Sequence, residues 1–192
     1  MADNTRDKLI GVSVELIMLK GFNNTGIAEI LSKAGVPKGS FYYYFKSKED
    51  LGLAVIDHYG KLLSSGLEER LSRDEVNHLA QLKRYFNEIV QLFAQDFRSC
   101  NCLLGNLGQE LALQSGALRD AVYRHYRRVE DLIHQCLEKA RLAGELGSDT
   151  DTRKMARLLF ASWEGSLTRA KLEQSTQPLE DLLDVFFGKL LI

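Results

Sequence analysis

At 192 residues the chain is long enough to bury a core in one small domain and one larger one, and nothing in it suggests a third. A net charge of −1 and a pI near 6.4 exclude a protein that coats polyanions over its whole surface. The N-terminus is polar rather than signal-like and no apolar run approaches the ~20 residues of a membrane span, so a cytoplasmic protein without membrane association is expected.

Leucine periodicity runs nearly throughout, β-branched alternation is scarce and only two prolines occur, which predicts an all-α fold. The first helix is expected over 3–20, with Leu9, Val12, Leu16, Ile17 and Leu19 on its apolar side and Gly21 as its stop. Thr25 is the expected N-cap of a second helix, 27–34, in which Ile27, Ile30, Leu31 and Ala34 share a face. Gly35 suits the turn that leaves it, and Pro37 fixes φ at the start of the next helix.

The stretch 33–48, K-A-G-V-P-K-G-S-F-Y-Y-Y-F-K-S-K, holds four lysines, Lys33, Lys38, Lys46 and Lys48, and no acid. Residues four apart lie on one helix face, so Phe41 and Phe45 are expected to anchor a short helix while Lys38, Ser40, Tyr42, Tyr43 and Tyr44 face outward. Over 1–50 the basic residues (Arg6, Lys8, Lys20, Lys33, Lys38, Lys46, Lys48) nearly balance the acidic ones (Asp3, Asp7, Glu15, Glu29, Glu49, Asp50). Positive charge is thus gathered in one patch, which suits a single helix entering a nucleic-acid groove. Two short helices joined by Ala-Gly-Val-Pro make a helix-turn-helix. Ser47 and Asp50 then resemble a capping box that opens a long helix.

Beyond it, helices are expected over 48–72, 76–97, 102–114, 117–143, 151–174 and 178–191, with Pro178 in the first turn of the last. Ala156, Leu159, Phe160, Trp163 and Leu167 form one apolar stripe. Leu179, Leu182, Leu183, Phe186, Phe187 and Leu190 form another, and such stripes either close a subunit's core or pair with a second copy.

The run G-F-N-N-T-G-I-A-E-I-L-S-K-A-G-V-P-K-G-S-F-Y-Y-Y-F-K-S-K-E-D-L resembles the DNA-binding domain of TetR-family transcriptional regulators, over about 5–53. The resemblance implies a helix-turn-helix domain at 1–50 and an effector-binding and dimerisation domain at 51–192. It further implies a homodimer on a palindromic double-stranded operator, probed by a small-molecule effector, most simply a repressor. Carried over by motif, Thr25 caps its helix against a phosphate, Lys38, Gly39, Ser40 and Tyr42 lie in the major groove, and Tyr43, Tyr44, Lys46 and Lys48 grip the backbone. The dimer interface then falls on the last two helices, at Ala156, Phe160, Leu167, Leu179, Leu183, Phe186 and Phe187.

Cys102–Ala112, C-L-L-G-N-L-G-Q-E-L-A, is similar to a subgroup that includes regulators of responses to reactive electrophiles. With Asn101 as cap, Cys102 is expected in the first turn of its helix, where unpaired amides favour a thiolate. Cys100 is placed to resolve an oxidised Cys102, and Arg98, Arg169 or Lys171 to supply a cation. The competing reading is an inert, buried thiol, which is also the expectation for Cys136 among Leu132, Ile133 and Leu137. Apolar and aromatic candidates for an effector cavity are Phe86, Phe93, Phe97, Leu103, Leu107, Leu111, Tyr123, Tyr126, Phe160 and Trp163, most of which packing explains better than a pocket does, although residue type does not separate the two.

The three cysteines match neither a disulfide framework nor a zinc site, and His58, His78, His125 and His134 are scattered, so no metal or cofactor is expected. Without a nucleophile and base in a motif context or a phosphate-cradling glycine loop, the chain is not read as an enzyme. The alternative function is a helical protein-interaction module that uses the lysine-tyrosine face without binding DNA. Salt separates the two, because counterion release makes DNA binding fall steeply with ionic strength.

Overall fold

The computed structural model describes residues 2–72, 77–96 and 101–191. Among them the expected all-α fold is present, with nine α-helices and no strand. They are α1 (Ala2–Lys20), α2 (Ile27–Ala34), α3 (Phe41–Tyr44), α4 (Lys48–Leu71), α5 (His78–Gln95), α6 (Leu103–Leu111), α7 (Gly116–Leu142), α8 (Thr152–Glu173) and α9 (Gln177–Val185). A 3₁₀ turn, Lys38–Ser40, leads into α3, and a π-helical turn, Phe186–Leu190, follows α9. The chain folds as two compact units, Met1–Leu62 with Cys102–Tyr126, and Leu63–Asn101 with Arg127–Ile192.

In the first unit α1 buries Leu9, Ile10, Leu16 and Ile17, while Leu19, expected in the same wall, is 80% exposed. Gly21, at φ +85°, ends α1, and its N–H donates to the Ile17 carbonyl at 2.8 Å. Gly35, at φ +64°, ends α2 in the left-handed conformation that glycine adopts without steric cost. Of the expected α2 face, Ile30, Leu31 and Ala34 are buried and Ile27 is half-buried. Ser47 opens α4 by accepting the Asp50 N–H at 3.0 Å, and Asp50 answers by accepting the Lys46 N–H at 2.9 Å. That is the reciprocal logic of a capping box, with the shorter Asp reaching one residue further back.

Two glycines of α4 admit close neighbours. A Cβ on Gly52 would lie 2.7 Å from the Phe22 ring, and one on Gly60 would lie 2.2 Å from Cγ of His125 on α7.

In the second unit α5 begins two residues later than expected. Asn77 caps it by accepting the Ala80 N–H at 2.6 Å, and Glu145 accepts the His78 and Leu79 N–H groups at 2.9 and 2.8 Å. Asp151 caps α8 through the Lys154 N–H at 3.0 Å, and Gln174, at φ +51°, ends it. Phe86 of α5 and Trp163 of α8 meet with ring centroids 4.7 Å apart. The last expected helix, 178–191, is α-helical only to Val185 and widens at Phe186.

The expected dimer-interface residues behave differently from their assignment. Ala156, Phe160, Leu167, Leu179, Leu183 and Phe186 are all at most 5% exposed within the single chain. Their apolar area is consumed where α8, α9 and α5 pack together, so they offer a second copy almost nothing, and only Phe187 is half-buried.

Candidate DNA-reading surface and sensor region

The helix-turn-helix presents its polar side as the 33–48 pattern requires. Phe41 and Phe45 are 0% and 2% exposed and form the anchor. Tyr42 and Tyr43 are 73% and 77% exposed. Lys38, Gly39 and Lys46 are exposed, and Ser40 and Tyr44 half-buried. Apart from its own turn and immediate chain neighbours, no atom of the described residues lies within 4 Å of the point where a Gly39 Cβ would be, so this side of the turn is open to an incoming surface. Tyr42 stands edge-on to Phe41 at 5.3 Å and Tyr43 edge-on to Tyr44 at 4.9 Å, which limits the freedom these rings lose on contact. The Arg6 guanidinium lies over the Phe45 ring, 5.2 Å from its centre.

One of the expected contacts is corrected. Thr25 is fully buried, its hydroxyl donates to the Gly21 carbonyl at 2.7 Å, and Gly26 stands at the N-cap of α2. A hydroxyl turned inward cannot cap α2 or meet a phosphate, so Thr25 locks the α1–α2 turn instead. Lys48 is half-buried, with its ammonium 4.6 Å from the Phe22 ring centre and donating to the Asn23 carbonyl at 3.1 Å. Burial pushes its pKa down, with the nearby Glu110 carboxylate opposing. Two neighbouring lysines are paired as well: Lys33 with Glu15 at 2.9 Å, and Lys20 with Glu29.

Cys102 sits one position earlier than expected. The helix starts at Leu103, so Cys102 is itself the N-cap residue of α6, in extended conformation, and its carbonyl accepts the Asn106 N–H at 3.0 Å. It is 8% exposed. Cys100 and Arg98, its expected partners, lie outside the described residues, as does Phe97. Arg169 is engaged with Glu173 at 2.5 Å. Cys136 is buried, donates its S–H to the His78 carbonyl at 3.4 Å, and has its pKa raised to about 12 by that burial.

The expected cavity residues are divided between the units. Phe86, Phe93, Phe160 and Trp163 are buried in the second. Leu103, Leu107 and Leu111 are buried in the first, where Tyr126 is half-buried and Tyr123 is 58% exposed. Two depressions of the second unit have described walls. One, of about 430 Å³, lies between α8 and α9 and is lined by Arg169, Glu173, Asp181 and Val185. The other, of about 150 Å³, adjoins Cys136, Leu132 and Glu68. None of the expected effector residues lines either.

Sequence reasoning missed Glu110. From α6 its carboxylate accepts the Phe22 N–H at 2.8 Å and the Asn23 N–H at 2.7 Å. Pairs separated by nearly ninety positions leave no local pattern, and a single glutamate on the polar side of an otherwise leucine-rich helix carries no signal of its own.

Residues 9–55 match the family described as bacterial regulatory proteins, tetR family, and residues 78–186 match the tetracyclin repressor-like C-terminal domain. The chain belongs to the TetR family of regulators: it is a DNA-binding transcriptional regulator and not an enzyme. It is 33% identical over 185 residues to the transcriptional regulator AcuR of Cereibacter sphaeroides, covering 96% of this chain and 84% of that one. It is also 33% identical over 180 residues to the transcriptional repressor NemR of Escherichia coli K12, covering 94% and 90%. The crystal structure of E. coli NemR in its reduced form superposes with a TM-score of 0.87 at 32% identity, over 98% of this chain and 97% of the other. A regulatory protein from Rhodobacter sphaeroides superposes equally well, at 0.87 and 34%, over 95% and 96%. These relatives agree with the likeness of the Cys102 segment to electrophile-responsive regulators.

Among the described residues no helix is long and apolar enough to cross a membrane, and no group of three or more His, Cys, Asp or Glu side chains could hold a metal ion.

Proposed function

We propose that the chain is a cytoplasmic homodimeric repressor that binds a palindromic operator and leaves it when a small molecule occupies its helical domain or a reactive compound modifies Cys102. The observation that carries the DNA-reading part is the open Lys38-Gly39-Ser40 turn, with Tyr42 and Tyr43 displayed on the Phe41–Phe45 anchor. Lys38 is the base reader, since an ammonium donates to guanine O6 and N7, while Tyr43, Tyr44 and Lys46 hold phosphates. Lys48 supports the same surface from within, through Asn23 and Phe22.

Support for the sensor part is the position of Cys102 at the start of α6, and a relative solved in a state named for its reduction. Support for the dimer is a second face of α8. Leu158, Ala161, Gly165 and Leu172, spaced by three, four and seven, are exposed in the single chain and leave a low surface for a second copy.

Binding to intergenic DNA flanking its own gene, followed by fluorescence anisotropy across a salt series, tests the first part. Lys38→Ala is expected to cost about 1–3 kcal/mol on the operator and to relax preference at one base position, whereas Lys46→Ala weakens all sequences alike. A flat salt response supports the protein-interaction alternative instead. For the sensor, a maleimide is expected to release the wild type and not Cys102→Ser. Mass spectrometry should find Cys136 unmodified in the folded protein, because burial pushes its thiol pKa up to about 12 and leaves little thiolate to react.

A further inference from the structure

Where Gly21 ends α1, the next two backbone amides point away from any helix of their own and are taken by a carboxylate from α6. Phe22 N–H donates to Oε2 of Glu110 at 2.8 Å and Asn23 N–H to Oε1 at 2.7 Å, one amide to each oxygen. A Cβ on Gly21 would lie 3.0 Å from Oε2, so the residue that stops α1 is also the one whose missing side chain admits the carboxylate. The surrounding bonds repeat the connection. Asn23 Nδ2 donates to Gln114 Oε1 at 3.1 Å, and Gln114 Nε2 donates back to the Glu110 carbonyl at 2.7 Å. Ser115 Oγ donates to the Glu49 carboxylate in the first turn of α4.

The end of α6 therefore holds the turn before α2 and the start of α4, the two segments that bracket the helix-turn-helix. Helix α6 lies in the same compact unit as that motif, and Cys102 sits at its opposite end. Nine residues make a rod of about 13 Å, short enough to shift as one body. Charge-assisted bonds to two adjacent amides fix both distance and direction, which one contact cannot do.

We infer that Glu110 is a positioning residue: it sets the DNA-reading helices against α6 and transmits a displacement of α6 to them. The inference rests on the proposed effector-released regulator. Coupling between two sites is reciprocal, so DNA held at Lys38 and Tyr42 must also steady α6 if Glu110 joins them.

Hydrogen exchange of the full chain, followed over residues 103–111 with and without an operator duplex, tests this. In the wild type, DNA is expected to slow exchange in α6 by roughly fivefold or more. In Glu110→Gln, whose amide sets N–H against N–H at one of the two bonds, the slowing is expected to vanish, while operator affinity falls by less than about tenfold. Glu110→Asp keeps the charge but not the reach; it should behave like the Gln variant, and it carries the comparison if the latter does not fold. Equal slowing in wild type and both variants, or none in the wild type, overturns the assignment. A residue that only stabilised the fold would lower melting temperature and affinity and leave the slowing intact. Maleimide release separates this inference from the sensor reading. If the wild type takes up maleimide at Cys102 and stays on DNA while its α6 slowing depends on Glu110, the sensor reading fails and the positioning role stands. If Glu110→Gln is released as readily as the wild type, transmission through Glu110 fails and the sensor reading stands.

Discussion

Thr25 shows how one side chain can look like a ligand-binding cap and serve as a latch. It precedes a helix that reads well from the sequence, yet its hydroxyl satisfies the Gly21 carbonyl and is fully buried. Thr25→Val keeps the shape and removes the donor, leaving a partly buried carbonyl without that bond. The expected cost is about 1–2 kcal/mol of unfolding free energy in urea, with the salt slope of DNA binding unchanged because no phosphate contact is lost. A lower slope with intact stability would return Thr25 to the DNA surface. Lys48 differs in the same way from Lys46: part of its ammonium's hydrogen bonding is spent on Asn23, so its removal should lower melting temperature as well as affinity.

At the scale of elements, the crossing of α4 and α7 in the first unit depends on Gly60. The contact that a Cβ would make is to Cγ of His125, the root of the ring, which cannot swing aside as a flexible chain end does. Gly60→Ala is therefore expected to destabilise by about 1–3 kcal/mol, and adding His125→Ala should restore most of it, measured as a double-mutant cycle in denaturant. The same ring carries a pH dependence. Burial lowers the His125 pKa below its ordinary value, against the pull of Asp57 and with Arg124 and Lys61 adding to it. A folded-state pKa below the unfolded one means that the unfolded chain binds the proton more readily. Stability should thus be full above about pH 6.5 and decline as pH falls from there towards the folded-state pKa, and His125→Gln should flatten that decline. Helix starts and stops were legible from residues that act locally: Gly21, Gly35, the Ser47–Asp50 pair and Pro178 each mark a boundary with their own chemistry. The starts of α5, α6 and α8 were placed one or two residues early because helical spacing continues through a cap. Glu110 on Phe22, Glu145 on His78 and His125 on Gly60 were not legible at all, since each joins segments whose meeting depends on the completed fold.

For the whole molecule, the decisive question is which face of α8 a second copy covers. Periodicity alone marked the richer stripe, Ala156–Phe160–Leu167, and the subunit has already spent that stripe on its own core. What remains outside is the poorer stripe, in which Leu172 is 79% and Leu158 43% exposed, with Ala161 and Gly165 between them. Small residues at the middle of such a face let two helices approach closely, and leucines at its ends supply apolar area. Gly165→Glu places a charge and bulk at that centre without touching the buried stripe. Sedimentation velocity is expected to show a monomer of unchanged helicity. Losing the linked second half-site should reduce operator affinity by about 100-fold or more. Phe186→Ala is the contrast: fully buried within the subunit, it should cost about 3–5 kcal/mol of unfolding free energy and affect assembly only through the fold. A Gly165→Glu chain that remains dimeric and binds DNA normally would move the interface away from this face, and the palindromic reading would have to be rebuilt on another surface.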